Sequence, residues 1–195
     1  MVLGISGCAA LVLAAFGIKD SIADVMKMQY EEIQVFDMSV MTKDAMEEEQ
    51  LKEMETCLGD AVSEYGFIQE SSMELVAEDM TKDISLIVFE KQDGFEHFID
   101  MHTMDGETIS MPALGEAVIT YKMADRFEIE IGDEITLRDE DYHEFKVTVS
   151  GIMQNFVGNY LYVNPQTYDA QLGEKPEYKT LYLNVKEGTD MHQLS

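Results

Sequence analysis

An uncharged apolar run opens the chain. Residues 1–18, MVLGISGCAALVLAAFGI, are mostly aliphatic, with small Gly, Ala and Ser between them. At 1.5 Å per residue they would form roughly 27 Å of helix, close to the ~30 Å hydrocarbon core of a bilayer. No basic region precedes the run and no cleavage-like site follows it, which disfavours a signal peptide. The sequence therefore predicts a membrane helix over residues 1–18.

The apolar pattern continues past this run at helical spacing. Ile22, Val25 and Met26 follow Ile18 by four, seven and eight positions, among charged neighbours. This amphipathic stripe predicts that the helix continues into water as far as about residue 28. The stripe either transmits motion as part of a rod or packs on the core of the domain itself. Because Lys or Arg would normally precede such a membrane helix, we expect the sequence to begin inside a longer protein.

Within residues 116–152 the spacing of apolar residues switches between the period of a helix, about 3.6 residues, and the period of a strand, two residues. Residues 117–119 form a short apolar run, and residues 121–127 carry Met123, Ala124 and Phe127 at helical spacing. A Gly-Asp pair at 132–133 predicts a turn. Two stretches then alternate apolar with polar residues, around 135–137 and 145–149, on either side of the polar corner 139–141. The segment is predicted to be a strand, a helix and a hairpin.

Shorter patterns predict the remaining elements. Helices are expected at 43–59, 165–172 and from 189, with one helical turn within 94–99. Asp105-Gly106 favours a hairpin between 98–104 and 107–111, because Asp and Gly tolerate the positive φ of its turn. Strands are expected at 31–40, 65–69, 73–77, 84–90, 159–164 and 178–186.

The order of these elements resembles the extracytoplasmic core domain of FtsX-like ABC transporter permeases, the group that includes the MacB-type permeases. The tyrosine-rich strand and short helix of residues 159–178 add to the resemblance, which spans nearly the whole chain. The matching positions are Val118 to Thr120, Ala124, Gly132-Asp133, Ile135 to Leu137 and Gly151-Ile152.

The resemblance implies an α+β fold with mixed and antiparallel sheets and short helices in two lobes, preceded by an N-terminal transmembrane helix. Residues 1–28 would be the transmembrane helix and stalk, and residues 29–195 the extracytoplasmic core domain. An outer lobe is expected to be inserted at about residues 43–112.

Charge and cysteine content narrow the class of partner. The formal net charge of −26 disfavours nucleic-acid phosphates and anionic lipid headgroups as ligands, so cationic partners or none are expected. The two cysteines, Cys8 and Cys57, lie in an apolar segment and an acidic helical segment. We do not expect a disulfide between them.

No motif with a built-in catalytic mechanism occurs. The sequence lacks a Gly-rich phosphate loop, a nucleophilic serine elbow and an HExxH zinc motif. Cys57 and His143 could be nucleophile and base, but nothing in the sequence brings them together. We therefore predict a protein that is not an enzyme, with no catalytic, cofactor-binding or metal-binding residues.

Polar clusters are interpreted as surface features. Asp93, His97, His102 and Asp105 lack tetrahedral ligand spacing, so ordinary half-exposed side chains are favoured over a metal site. Asp139, Asp141 and Glu144 lack the glycine and twelfth-position glutamate of a calcium loop. Residues 47–49 point three carboxylates in three directions around a helix, and the fifteen methionines are interpreted mainly as core residues.

The resemblance implies a non-catalytic domain of an ABC permease that binds a substrate or partner and transmits ATP-driven motion across the membrane. Its expected partners are an ATP-binding cassette subunit, the membrane and a possible second permease copy. Residues from about 29 onward would lie outside the cytoplasm. The alternatives are a membrane-anchored binding protein or adhesin without an ATPase and, third, an anchored surface hydrolase.

Overall fold

A computed structural model describes residues 2–46, 48–57, 61–77 and 81–186. Its helices are α1 (Val2–Lys27), which continues as a π-helical turn (Met28–Ile33), α2 (Glu48–Cys57), α3 (Tyr121–Phe127) and α4 (Pro165–Leu172), with a 3-10 turn at Phe95–His97. Its strands are β1 (Met38–Met41), β2 (Val62–Val76), β3 (Thr81–Phe89), β4 (Glu116–Thr120), β5 (Glu134–Arg138), β6 (Glu144–Met153), β7 (Tyr160–Val163) and β8 (Thr180–Val185). The predicted α+β class is confirmed.

All eight strands belong to one mixed sheet. Its order is β1-β8-β2-β3-β7-β4-β6-β5, and β5 also pairs with the last residues of β2. Strands β2, β3, β7, β4, β6 and β5 therefore close into a ring, and β8 and β1 extend from the first half of β2. The β3–β7 and β4–β6 pairs are parallel, and the other pairs are antiparallel.

The apolar side chains form three buried clusters. Cluster one gathers residues of the ring together with Met123, Ala124 and Tyr168 from α3 and α4. Cluster two joins Ile33 of the π-helical turn to β3, β7 and the 98–101 segment. Cluster three packs Leu51 of α2 against the sheet near β8. The second cluster thus connects the end of the first helix to the sheet.

The first helix is predicted to cross a membrane over residues 1–18. Its residues Val2–Lys27 are helical, as the sequence predicts. Within the described part of the chain, however, no helix combines the length and the apolar character that crossing a membrane requires. The predicted membrane span at residues 1–18 is therefore not supported.

The apolar stripe of α1 is exposed. Ile18, Ile22 and Met26 are 62, 59 and 47% exposed, and Val25 is only half-buried. The stripe therefore does not pack on the core of the domain, which was one of its two interpretations. Helix α1 meets the domain at its C-terminal end, where the π-helical turn begins.

Elements with clear local signals form where the sequence predicts them. Helix α3 follows β4 directly, and α4 occupies the predicted range, Pro165–Leu172. The Asn164 side chain caps α4 by accepting a hydrogen bond from the Thr167 amide at 2.7 Å, and Pro165 occupies its first turn. Local chemistry is sufficient to fix these boundaries.

The predicted strand at 31–40 is wrong in its first half. Residues Met28–Ile33 are π-helical, and β1 begins only at Met38. Gln29 and Ile33 are both buried on the helix face that follows Val25. Burial of this face therefore outweighs the short polar–apolar alternation of residues 31–35.

Residues 43–112 differ from the prediction in detail. The two strands predicted at 65–69 and 73–77 are one strand, β2, in the middle of the sheet. Gly106 has the φ of +82° expected of the turn, but the predicted hairpin has only a single bridge, between His102 and Thr108. The outer lobe stays a prediction, although β2 and β3 lie inside the common sheet. The helix predicted from residue 189 lies outside the described residues.

Candidate functional site: the junction between the first helix and the sheet

The first predicted polar cluster is dispersed. The His97 carbonyl accepts a hydrogen bond from Asn184, whereas the His102 ring lies 3.6 Å from the Asp100 carboxylate and 3.1 Å from the Gln154 side chain. Asp105 lies in the turn beside Thr103, and Asp93 lines a separate cavity. Over the described ranges, no three His, Cys, Asp or Glu side chains are grouped to hold a metal ion.

The second polar cluster forms an acidic corner, residues 139–144, between β5 and β6. The Asp139 carboxylate accepts hydrogen bonds from the His143 amide at 2.8 Å and pairs with its ring at 2.9 Å. Asp141 and Glu144 line a cavity of about 540 Å³ that opens beside this pair. The corner is held by its own side chains, as a polar hairpin turn requires.

The pKa values of this pair shift in opposite directions. The hydrogen bond to Asp139, followed by charge attraction, raises the pKa of His143 above its usual 6.5. Partial burial alone would raise the pKa of Asp139, but hydrogen bonds from His143 outweigh it and hold that pKa below 3.8. Both shifts favour the ion pair.

The other candidates are not brought together by anything described. The ring of His143 is paired with Asp139, while Cys57 ends α2 and its side chain lies outside the described set. Glu49 is exposed, and residue 47 is not described. The methionines divide between core and surface. Met73, Met101, Met123 and Met153 are buried, and Met26, Met28, Met41 and Met104 are exposed.

A buried polar site lies where α1 enters the domain. Gln29, in the π-helical turn, is completely buried. Its side-chain oxygen accepts hydrogen bonds from the amides of Phe156 and Val157 at 2.9 and 3.1 Å. Its side-chain nitrogen donates to the Asn155 side-chain oxygen at 2.8 Å. One glutamine therefore joins the helix to the loop between β6 and β7.

The loop is in turn held by its own contacts. The Asn155 side chain donates to the Val157 carbonyl at 2.6 Å, and Lys122 of α3 donates to the Phe156 carbonyl. Because buried polar groups are costly when unpaired, this reciprocal pairing fixes the position of the loop and of Gln29 together. We call Gln29, Asn155, Phe156 and Val157 the amide junction.

The segment that follows the π-helical turn is also held, by backbone hydrogen bonds and by a ring stack. The Ile33 carbonyl accepts from the Asp100 amide at 2.9 Å, and the Val35 amide donates to the Phe98 carbonyl at the same distance. Phe36 then stacks on Tyr182 of β8, with ring centroids 4.0 Å apart. Side chain and backbone thus attach residues 29–36 to three separate parts of the domain.

Two tyrosines, Tyr182 and Tyr160, contact Phe36 and Gln34 in the segment that follows the π-helical turn. Burial raises the pKa of Tyr160, with a smaller increase from Glu70, and burial also raises the pKa of Tyr182. A phenol is already uncharged at neutral pH, and the raised pKa values keep both rings neutral in more alkaline solution as well. Gln29 is therefore held by hydrogen bonds to neutral groups, one buried and two partly buried, rather than by an ion pair.

Sequence reasoning missed the amide junction. Val25, Gln29 and Ile33 are spaced four apart, so a polar residue sits on an otherwise apolar helical stripe. That was a usable signal for a buried amide on the first helix. No sequence signal identifies Asn155 as its partner, since the two residues are 126 positions apart.

Comparisons with known proteins agree with this architecture. A sequence model of the MacB-like periplasmic core domain matches residues 1–195. The chain belongs to the MacB-like periplasmic core domain family. Sequence resemblance to the MacB-type permeases is thereby confirmed. Among proteins with curated functions, none matched the chain.

One solved structure shows a similar fold at low identity, and two others align more weakly. The extracellular domain of the noncanonic ABC-type transporter YknZ from Gram-positive bacteria aligns with a TM-score of 0.54 and 15% identity, over 80% of this chain and 88% of that one. The periplasmic region of MacB from Actinobacillus actinomycetemcomitans gives 0.49 and 10%, over 80% and 70%. A domain of a putative permease protein from Porphyromonas gingivalis gives 0.44 and 13%, over 69% and 60%.

Proposed function

We propose that this MacB-like domain is the non-catalytic extracytoplasmic part of an ABC transporter permease. Family membership supports this function over that of an adhesin without an ATPase. In this proposal residues from about 29 onward lie outside the cytoplasm, and an ATP-binding cassette subunit and a second permease copy are partners. Protease protection in intact cells tests the location, and full protection of residues 29–195 as a cytosolic species would contradict it.

We infer further that α1 and the amide junction carry ATP-driven motion to the domain. The observation that supports this is the complete burial of Gln29 among three hydrogen-bond partners at the end of an exposed helix. Motion of α1 then has to displace the loop of residues 154–158 or break buried hydrogen bonds. No flexible Gly/Ser linker separates α1 from the sheet.

The test replaces Ala23 by proline in the complete transporter. Ala23 is exposed within α1, away from the junction, so the domain stays folded while the helix is interrupted. Proline removes a backbone hydrogen bond and costs about 3 kcal/mol in a helix interior. We expect normal insertion and ATP hydrolysis with loss of transport.

Ala23→Leu is the matched control, because it changes the same exposed position and keeps a strong helix former. It should transport normally. Transport at the unaltered rate by correctly inserted Ala23→Pro would reject transmission through α1, while leaving the location of the domain untouched.

A further inference from the structure

A second cavity lies where β2 and β3 part. The β2–β3 pairing starts at Ile68 and Phe89, and residues 62–68 of β2 pair with β8 on the opposite side. The space beyond Phe89 is a cavity of about 210 Å³, bordered by β2, the end of β3 and the 3-10 turn. Because pockets for drug-sized ligands run about 300–1,000 Å³, this one suits a small chemical group.

Five aromatic rings line the cavity. Tyr65 and Phe67 meet edge to face with centroids 5.9 Å apart, and Phe89 and Phe95 lie 6.2 Å apart. Phe98 completes the wall against Gly66, where an added Cβ would lie only 2.8 Å from the ring. The buried rings Phe67, Phe89 and Phe98 belong to the core and hold the walls in place.

Carboxylates surround the same space. Glu64, Glu90 and Asp93 line the cavity together with one basic residue, Lys91. The Lys91 ammonium lies 5.4 Å from the centroid of the Tyr65 ring and 3.9 Å from the Glu90 carboxylate. The chain thus places one of its own cations against both an aromatic face and a carboxylate of the cavity.

We propose that this cavity is a binding site for an organic ammonium group carried on a short apolar stem, which displaces the Lys91 ammonium. An aromatic face attracts a cation through its quadrupole, and a nearby carboxylate adds charge attraction. The apolar stem lies against Tyr65 and Phe95. The strongly acidic chain raises the local concentration of such cations.

A role for this ligand in transport rests on the proposed function, but binding does not. Binding is measured on the purified chain without ATP or an ATPase. Failure of binding therefore leaves the transmission proposal intact, and failure of Ala23→Pro leaves the cation site intact.

The experiment titrates n-butylammonium into the chain at fixed ionic strength and follows the amide NMR signals of Gly66 and Gly94. n-Butanol is the neutral control for apolar contact. Lys91→Met removes the competing cation and should tighten butylammonium binding. Tyr65→Leu should weaken it about two- to fivefold, whereas Tyr65→Phe keeps the ring and should bind as the parent chain does.

Glu90→Gln and Asp139→Asn remove the same charge inside and outside the cavity. If butylammonium binds in the cavity, Glu90→Gln should weaken its binding more than Asp139→Asn does. Three results would each overturn the proposal: equal losses of affinity in the two variants, equal binding of n-butanol and n-butylammonium, or unchanged butylammonium affinity in Lys91→Met. Lys91 is exposed, so Lys91→Met keeps the test decisive even if Tyr65→Leu fails to fold.

A last arm identifies the source of the ammonium group. An acetylated, amidated Gly-Lys-Gly peptide is titrated beside n-butylammonium. Tighter binding of the peptide assigns the site to a lysine side chain of a peptide. Equal or weaker binding assigns it to a free amine, and both results support the ammonium site.

Discussion

The amide junction and the acidic corner at residues 139–144 both hold chain segments with polar side chains, but in opposite environments. Gln29 is fully buried, and each polar atom of its side chain is paired with a neutral group. The His143 side chain is 70% exposed and carries an ion pair. Water screens an exposed ion pair and competes with it, whereas a buried amide that loses its partner has no replacement.

The burial of a polar side chain should therefore affect the stability of the domain more than its formal charge does. A neutral side chain should contribute more to the stability of this domain than a charged pair does, provided that water is excluded around it. Four expected outcomes test this comparison, in decreasing order of effect.

Replacing Gln29 by methionine should have the largest effect. Methionine matches the length of the side chain but pairs with none of Asn155, Phe156 and Val157, so the buried Asn155 side chain loses its partner and the two backbone amides lose their acceptor. We expect a loss of about 3 kcal/mol in the free energy of unfolding, measured by urea denaturation. Glu31→Met, at an exposed position of the same turn, should change it little; an equal loss there would contradict the comparison.

Replacing Gly66 by alanine should have the next largest effect. The new Cβ would meet the Phe98 ring at 2.8 Å, and the Phe98 carbonyl accepts from the Val35 amide beside the junction. We expect a destabilisation of about 2 kcal/mol from overpacking. Gly17→Ala, which meets no neighbour within 4 Å, is the control and should not destabilise. A Gly66→Ala domain as stable as the parent would show that Phe98 moves freely.

A double-mutant cycle of Gln29 and Asn155 should show a smaller effect, because it measures only the interaction energy between the two side chains. We expect a coupling energy of about 1 kcal/mol between Gln29→Met and Asn155→Ala, because the two side chains share a direct hydrogen bond. Strictly additive losses would mean that the residues act separately. Gln29→Met with Lys82→Ala, in distant β3, should be additive.

The smallest effect concerns His143. Its folded pKa lies above its unfolded value, so its contribution is fully present below the unfolded pKa and is lost as pH rises through the folded pKa. Asp139→Asn should lower the pKa of the His143 ring, as measured by NMR titration, with little change in melting temperature at neutral pH. Glu140→Gln, a neighbouring charge change without that contact, should lower it less. A large loss of melting temperature in Asp139→Asn would reverse the comparison.

The same contrast explains what the sequence could reveal. The acidic corner was predictable because Asp139 and His143 are close in sequence and flank an alternating hairpin. Helices α3 and α4 were predictable for the same reason, since spacing and capping residues are local. The junction was not, because the partners of Gln29 lie between β6 and β7 and only the folded sheet brings them near.

Burial also reversed one local prediction. Residues 31–35 alternate as a strand would, yet the face that carries Gln29 and Ile33 is helical and dry. The order of strands within the sheet was likewise beyond pattern reading, since β2 appeared as two strands and its partners come from three parts of the chain.

The position of β8 has a consequence for how the domain is made. Strand β1 and the first half of β2 pair with residues 180–185, and the Asp37 amide is hydrogen-bonded to a residue 147 positions later. During synthesis the edges of β1 and of the first half of β2 that pair with β8 therefore stay unpaired until β8 has been synthesised. Contacts so distant in sequence slow folding and leave strand edges available for wrong pairing. The nascent chain is thus especially vulnerable to aggregation just before β8 is synthesised.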